Sequence, residues 1–106
     1  MATSKEFLNY LLEQLSNLSE VTYRPMLGEY VIYYRGKVVG DMCDNKLFVK
    51  PVSTAVNYVR EAVYAPPYDG AKDMLLIEDL DDKEYLCGLF EAMYDELPEP
   101  KKRKSK

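Results

Sequence analysis

Two cysteines and a run of carboxylates come nearest to catalytic or metal-binding chemistry in this chain. The sequence contains no histidine, which removes the commonest general base and the commonest transition-metal ligand. Cys43 and Cys87 match no metal-binding or redox spacing. Their sequence neighbours are mostly acidic or apolar, and such surroundings disfavour a reactive thiolate. We therefore expect two buried free thiols.

The acidic run 78–82, EDLDD, has the oxygen atoms that Mg²⁺ or Ca²⁺ would need. It lacks the alternating pattern and central glycine of a calcium-binding loop. Carboxylates also accept hydrogen bonds at the start of a helix and complement the helix dipole. We interpret this run as the beginning of the last helix. Because no phosphate-binding glycine motif is present either, the sequence predicts a domain without catalytic residues, metal or cofactor, which is not an enzyme.

Binding chemistry is better represented than catalytic chemistry. The chain has ten tyrosines against three phenylalanines and no tryptophan, and tyrosine combines apolar area with a polar tip. Aromatic and basic side chains are common anchors of protein interfaces. On the less covered face of the predicted sheet and beside it, the candidate interaction surface consists of Tyr33, Arg35, Val39, Phe48, Lys50 and Tyr68.

Three consecutive strands and two turns are predicted between residues 24 and 50. The segment 28–34 is rich in aromatic and β-branched residues. Arg35-Gly36 and Asp44-Asn45 are typical turn pairs, and they separate this strand from predicted strands at 37–42 and 46–50. Residues 21–24 precede Pro25, so they are expected to form a short edge strand or an extended approach to the meander.

Helical periodicity surrounds the meander. An apolar stripe predicts a first helix from about Ser4 to Leu18, with Thr3 as its N-cap. A second helix is expected from Ser53 or Thr54 to about residue 63, then the rigid connector 66–71, a strand at 74–77 and a last helix that ends before Pro98. The order α-β-β-β-α-β-α predicts an α+β two-layer sandwich, with an antiparallel sheet and helices packed on one face.

Charge divides the chain into a body and a tail. The net charge is −4. Residues 98–106 carry five basic residues and one acidic residue, a net charge of +4, so residues 1–97 carry −8. An acidic body repels a phosphate backbone, so we expect one domain over 1–97 that does not bind nucleic acid. The basic tail 98–106 is expected to be a disordered solubilising end, with weak non-specific phosphate contact as the alternative.

The phrases MLGEY, YYRGKVVG and DNKLFVK within residues 26–50 resemble the N-terminal domain of the TfoX/Sxy family, bacterial regulators of competence. The resemblance weakens over 66–97. It implies this kind of α+β fold and a regulatory role. The sequence shows no trace of the C-terminal domain of the two-domain regulators. With no apolar membrane span and no signal peptide, we expect a cytoplasmic protein.

Three functional hypotheses remain open at this level. The first is a small non-catalytic regulatory module that binds another protein through the surface given above. The second is a small-ligand binder, with a pocket between the sheet and the Pro66–Ala71 connector, in which tyrosines and Arg24 or Arg35 recognise a polar ligand. The third is a homodimer formed by edge-strand pairing or helix packing, which is compatible with either.

Overall fold

A computed structural model describes residues 3–98 of the chain. Its elements are, in chain order, α1 (Lys5–Gln14), β1 (Val21–Met26), β2 (Glu29–Tyr34), β3 (Lys37–Cys43), β4 (Lys46–Val49), α2 (Ser53–Tyr58), β5 (Tyr64–Ala65), β6 (Met74–Ile77), α3 (Lys83–Met93) and a 3₁₀ turn (Tyr94–Glu96). The predicted α+β class and element order are confirmed. Of the two alternatives for residues 21–24, the edge strand is correct and forms β1, and only the two-residue β5 is an additional strand.

All six strands form one antiparallel sheet, in the order β1-β2-β3-β4-β6-β5. The first four strands are a meander, because each is joined to its neighbour by a short turn. The longer connection through α2 and β5 then brings β6 back beside β4. This topology leaves β1 and β5 as the two edges, which is where a strand with proline and a two-residue strand are tolerated.

The helices cover one face of the sheet, and the core lies between the two layers. Leu8, Leu11 and Leu15 of the first helical segment pack with Leu86, Phe90 and Met93 of α3 against apolar side chains from β2, β3, β4 and β6. Along each strand, the side chains that point to this core alternate with side chains that point to the second face of the sheet, as the two-residue period of a strand requires. The helix-covered face is called the core face below.

The first helix is shorter than its apolar stripe, and its cap differs from the prediction. Ser4 is the N-cap, and its hydroxyl accepts a hydrogen bond from the backbone N–H of Phe7 at 3.0 Å. Thr3 is buried instead, with its hydroxyl 2.9 Å from a carboxylate oxygen of Glu29 and 3.0 Å from the carbonyl oxygen of Met42. Thr3 therefore fastens the beginning of α1 to two strands.

The second helix is capped from a distance. Its N-cap position is Val52, whose side chain has no oxygen to offer. The Glu96 carboxylate accepts hydrogen bonds from the Ser53 hydroxyl at 2.8 Å and the Thr54 backbone N–H at 2.9 Å. These bonds lower the pKa of Glu96. The expected local cap at Ser53 or Thr54 is thus replaced by a carboxylate from the other end of the chain.

A bulge in β3 decides which side chains reach the core. Ile32 pairs with Gly40 and Tyr33 with Val38, so Val39 is an extra residue without a partner on β2. An extra residue reverses the alternation of the strand beyond it. As a result both Val39 and Met42 belong to the core. Lys37, only 6% exposed, donates a hydrogen bond to the Tyr94 carbonyl oxygen at 3.1 Å.

Gly40 permits the close approach of β3 to β4 beside this bulge. A Cβ atom at Gly40 would lie 1.9 Å from the Phe48 carbonyl oxygen and 2.7 Å from the Val49 Cα. Both are backbone atoms, so the strands would have to separate to accept any side chain. This position therefore requires glycine for steric reasons.

Pro25 lies in the edge strand where its missing N–H does no harm. The Arg35 N–H donates to the Glu20 carbonyl oxygen at 2.9 Å, and the register continues from this pair through Val21 opposite Tyr34. Along an antiparallel strand, residues whose backbone N–H points toward the partner strand alternate with residues whose N–H points away from it. Pro25 therefore falls on an outward position, where an N–H group would face solvent.

Every helix among residues 3–98 is too short or too polar to cross a lipid bilayer. Of the predicted basic tail, residues 99–106 lie outside the described residues.

Gly40→Ala is expected to destabilise the protein far more than Gly70→Ala. The first change forces backbone apart and should cost at least about 3 kcal/mol. Gly70 has open space around its Cα but a φ of +87°, so alanine there should cost only about 1 kcal/mol. Urea denaturation of the two variants and the wild type measures both effects. Equal destabilisation by the two substitutions would contradict the steric account of Gly40.

Candidate functional site

The second face of the sheet is less open than its sequence suggests. Asp41 pairs with Val31 on one side and Phe48 on the other, and Phe48 pairs with Leu76, so these four side chains form one row. The connector between β5 and β6 extends across this row. Pro67 within it is buried, and together with Tyr68 it lines a cavity of about 300 Å³ that Asp41 and Lys50 also line.

A groove of about 360 Å³ continues on the other side of Tyr68. Its walls come from three separate segments: the β1–β2 turn, the ends of β2 and β3 that meet beside it, and the connector. The two cavities share Asp41 and Tyr68 as lining residues, so they are neighbours on the second face. The residues that line this groove, called the rim groove below, are Met26, Leu27, Glu29, Tyr30, Asp41, Cys43 and Tyr68.

Leu27 is the most unusual residue of the rim groove. Its side chain is 98% exposed, and its backbone has a φ of +52°. Both properties are unfavourable for leucine, because exposed apolar area and left-handed backbone each cost free energy in this residue type. Met26 and Tyr68 beside it are 50% and 60% exposed. Together these three exposed apolar side chains make the edge of the groove a candidate binding surface.

Two carboxylates lie at the base of the rim groove. Asp41 is half-buried between Val31 and Phe48, and this loss of solvent raises its pKa, while Glu29 raises it further and Lys50 lowers it. Glu29 is held in place by the Thr3 hydroxyl and by the backbone N–H of Asp44, whose nitrogen lies 3.3 Å from the carboxylate. The groove thus combines an apolar rim with an acidic base.

Cys43 also lines this groove. It is free and buried, as expected from the sequence. Burial first, and then Glu29 and Asp41, raise the pKa of its thiol to about 12. Burial likewise raises the pKa of the Cys87 thiol, which is also free. Both thiols are therefore protonated at neutral pH.

The structure brings only part of the predicted surface together. Lys50 and Tyr68 line the same cavity. Tyr33, half-buried, lies in a separate shallow groove with Arg24, and the exposed Arg35 stacks on Tyr94 at 5.0 Å and lies 3.7 Å from a Glu20 oxygen. The predicted surface is therefore divided between two regions of the molecule.

Two residues of the predicted surface are not on the surface, and their assignment to it is wrong. Val39 is fully buried, because the bulge turns it toward the core face. Phe48 lies on the second face between Asp41 and Leu76, but it is only 4% exposed. Neither side chain can contact a partner in the folded protein.

The acidic run 78–82 has the structural role expected of it. Asp82 is the N-cap of α3 and accepts a hydrogen bond from the Tyr85 N–H at 3.1 Å. Arg60 forms ion pairs with Asp79 at 3.5 Å and Asp82 at 2.7 Å, and it stacks over the Tyr85 ring at 4.0 Å. A shallow cavity of about 480 Å³ lies along this turn, and three of the carboxylates on its lining, those of Asp79, Asp81 and Asp82, are engaged by Arg60 or Tyr10. Within residues 3–98, no three His, Cys, Asp or Glu side chains are grouped to hold a metal ion.

Sequence reasoning missed Met26, Leu27, Glu29 and Asp41. One signal was available: Met26-Leu27 precedes Gly28 in a tight turn, where polar residues are usual. A second was Asp41 inside an apolar strand. Neither signal shows that the turn and the connector meet, because that contact depends on the tertiary structure.

The fold and this groove define a small α+β domain whose candidate site is apolar at its rim and acidic at its base. The chain belongs to the TfoX N-terminal domain family, whose model matches residues 13–92. The resemblance seen in the sequence is thereby confirmed.

A curated relative supports the family assignment over the whole chain. It is described as an uncharacterized 12.7 kDa protein in the trpE 5′ region of Spirochaeta aurantia. The two are 32% identical over 107 residues, which cover 100% of this chain and 93% of the relative. No solved structure matches the chain significantly.

Asp41→Asn is expected to stabilise the protein at pH 7. The folded-state pKa of Asp41 is raised above the ordinary value of 3.8, so its ionised form is disfavoured by folding. Protonated Asp41 therefore carries no such penalty: the protein has its full stability below pH 3.8 and loses part of it as the pH rises through the folded-state pKa and Asp41 ionises. The stability advantage of the variant over wild type should therefore shrink as the pH falls from 7 toward 3.8. Urea denaturation of both proteins across this range measures it, and an advantage independent of pH would contradict the expectation.

Native protein at pH 8 is expected to resist alkylation at Cys43. With a pKa of about 12, only about one thiol in ten thousand is ionised at pH 8, against roughly a quarter of free cysteine. Iodoacetamide labelling followed by mass spectrometry should show slow labelling of the folded protein. The same protein in concentrated urea should take up two labels rapidly. Fast modification of Cys43 without unfolding would show that the thiol is activated.

Proposed function

We propose that this TfoX N-terminal-type domain is a non-catalytic regulatory module that binds a segment of a partner protein in the rim groove. The observation that carries the proposal is Leu27, an almost fully exposed leucine in left-handed backbone at the edge of the groove. The two-residue turn between β1 and β2 requires left-handed backbone at Leu27 and Gly28, but it does not require an apolar side chain there. A partner that covers Leu27, Met26 and Tyr68 would recover the apolar burial that the free protein lacks.

The non-catalytic part of the proposal rests on the groups that line the groove. The Cys43 thiol is protonated at neutral pH because its pKa is raised to about 12. The Glu29 carboxylate is engaged by Thr3 and Asp44. The regulatory part rests on the family, to which the chain belongs through residues 13–92.

Binding of a small molecule is the second candidate. The rim groove, at about 360 Å³, falls within the range of about 300–1,000 Å³ that is usual for ligand sites. Its lining is apolar with a few polar groups, as such sites require. A thermal-shift screen of metabolites against the isolated protein tests this candidate. Stabilisation by one metabolite that Tyr68→Ala abolishes would favour it over the partner-binding proposal.

Leu27→Asn is expected to abolish partner binding while stabilising the protein by about 0.5–1 kcal/mol, because asparagine tolerates left-handed backbone better than leucine. Affinity capture from a lysate of the source organism, read by mass spectrometry, compares this variant with wild type. Urea denaturation of the same two proteins gives the stability change.

The matched control is Tyr64→Ser, which removes a half-exposed aromatic side chain from β5, the other edge of the sheet. This variant should retain the partner. Capture of the same partner by Leu27→Asn and wild type would show that the rim groove is not the binding surface.

A further inference from the structure

Asp41 is an unusual carboxylate because it is half-buried and has no partner. Within residues 3–98 its oxygens make no hydrogen bond and no ion pair. Val31 and Phe48 flank it across the sheet and offer it no polar group. A half-buried carboxylate keeps part of its hydration, and in such partly apolar surroundings its attraction for a cationic group is stronger than in bulk water.

The neighbours of Asp41 leave the site negative. Glu29 is a second carboxylate on the groove lining. Lys50, which directly follows β4, lies near enough to act on the charge of Asp41, but the described residues show no ion pair between them. The body as a whole carries −8 over residues 1–97. The groove therefore attracts a cation and repels an anion.

The walls of the groove suit a cation that carries an alkyl stem. Met26 and Leu27 present apolar surface, and the half-exposed Tyr68 adds an aromatic side chain to the same lining. Lysine and arginine bury their methylene groups on such surfaces while the charged head reaches a carboxylate. Aromatic rings attract the same charged heads.

We infer that the rim groove is selective for a lysine or arginine side chain of the partner segment, with the charged head at Asp41 and the stem along Met26 and Tyr68. This inference rests on the proposed function and adds the chemistry of the partner to it. Leu27 then contacts an apolar residue beside the cationic one. Glu29 contributes a second negative charge and keeps its position through Thr3.

Two synthetic peptides that differ only in the charge of one side chain test the inference. The probes are acetyl-Ala-Leu-Arg-Leu-Ala-amide and the same peptide with citrulline, a neutral residue of the same shape, in place of arginine. Each is titrated into the full chain by amide NMR at low salt. The arginine peptide should bind at least about tenfold more tightly, which corresponds to about 1.4 kcal/mol, and its shifts should map to the rim groove.

Asp41→Asn should remove the preference for arginine, with the fold of the variant verified by its thermal melt. Glu91→Gln is the control, because it changes the net charge equally but lies on α3, on the other side of the sheet. It should keep the preference. Equal affinity of wild type for both peptides, or a preference that survives Asp41→Asn, would overturn the inference.

Failure of the inference can be told apart from failure of the proposed function. If wild type binds neither peptide but captures a partner that Leu27→Asn loses, the groove binds a partner whose chemistry is not cationic. The inference then falls and the proposed function stands. If wild type binds neither peptide and the Leu27→Asn variant captures the same partner as wild type, both the inference and the proposed function are wrong.

Discussion

The close approach of β3 to β4 at Gly40 is the constraint on which the rest of the structure depends. Only glycine fits against the Phe48 carbonyl oxygen, and the bulge at Val39 lies directly beside it. Together they turn Lys37 and Val39 toward the helices while Asp41 stays on the second face. The same few residues therefore complete the core and place the carboxylate of the candidate site.

Much of the fold could be predicted from periodicity. The alternation of core and second-face side chains in β2 and the leucine stripe of α1 are local sequence patterns, and the residues in them form part of the core. The bulge could not be predicted, since Val38-Val39-Gly40 has the composition of an uninterrupted strand. The end of α2 at Tyr58 could not be predicted either. The carboxylate that caps the start of α2 belongs to Glu96, and just beyond its end the Arg60 N–H donates a hydrogen bond to the Tyr85 hydroxyl. Both partners are distant in sequence.

The candidate site was harder to predict than the fold because its walls are far apart in sequence. Tyr68 and Lys50 were recognisable as single residues, but the carboxylate between them matters only once the connector crosses the sheet. Phe48 is buried on the same face, although composition alone presents it as an exposed anchor. Residue type indicates what a side chain can do, whereas the topology decides whether it is accessible.

The outward position of Pro25 limits how anything can attach at this edge of the sheet. An added strand needs a ladder of main-chain donors, and proline interrupts that ladder immediately before Met26 and Leu27. Main-chain pairing is indifferent to sequence, and it is the route by which strands stack into fibrils. Pro25 therefore disfavours main-chain pairing at the strand position next to the turn where leucine and methionine are exposed.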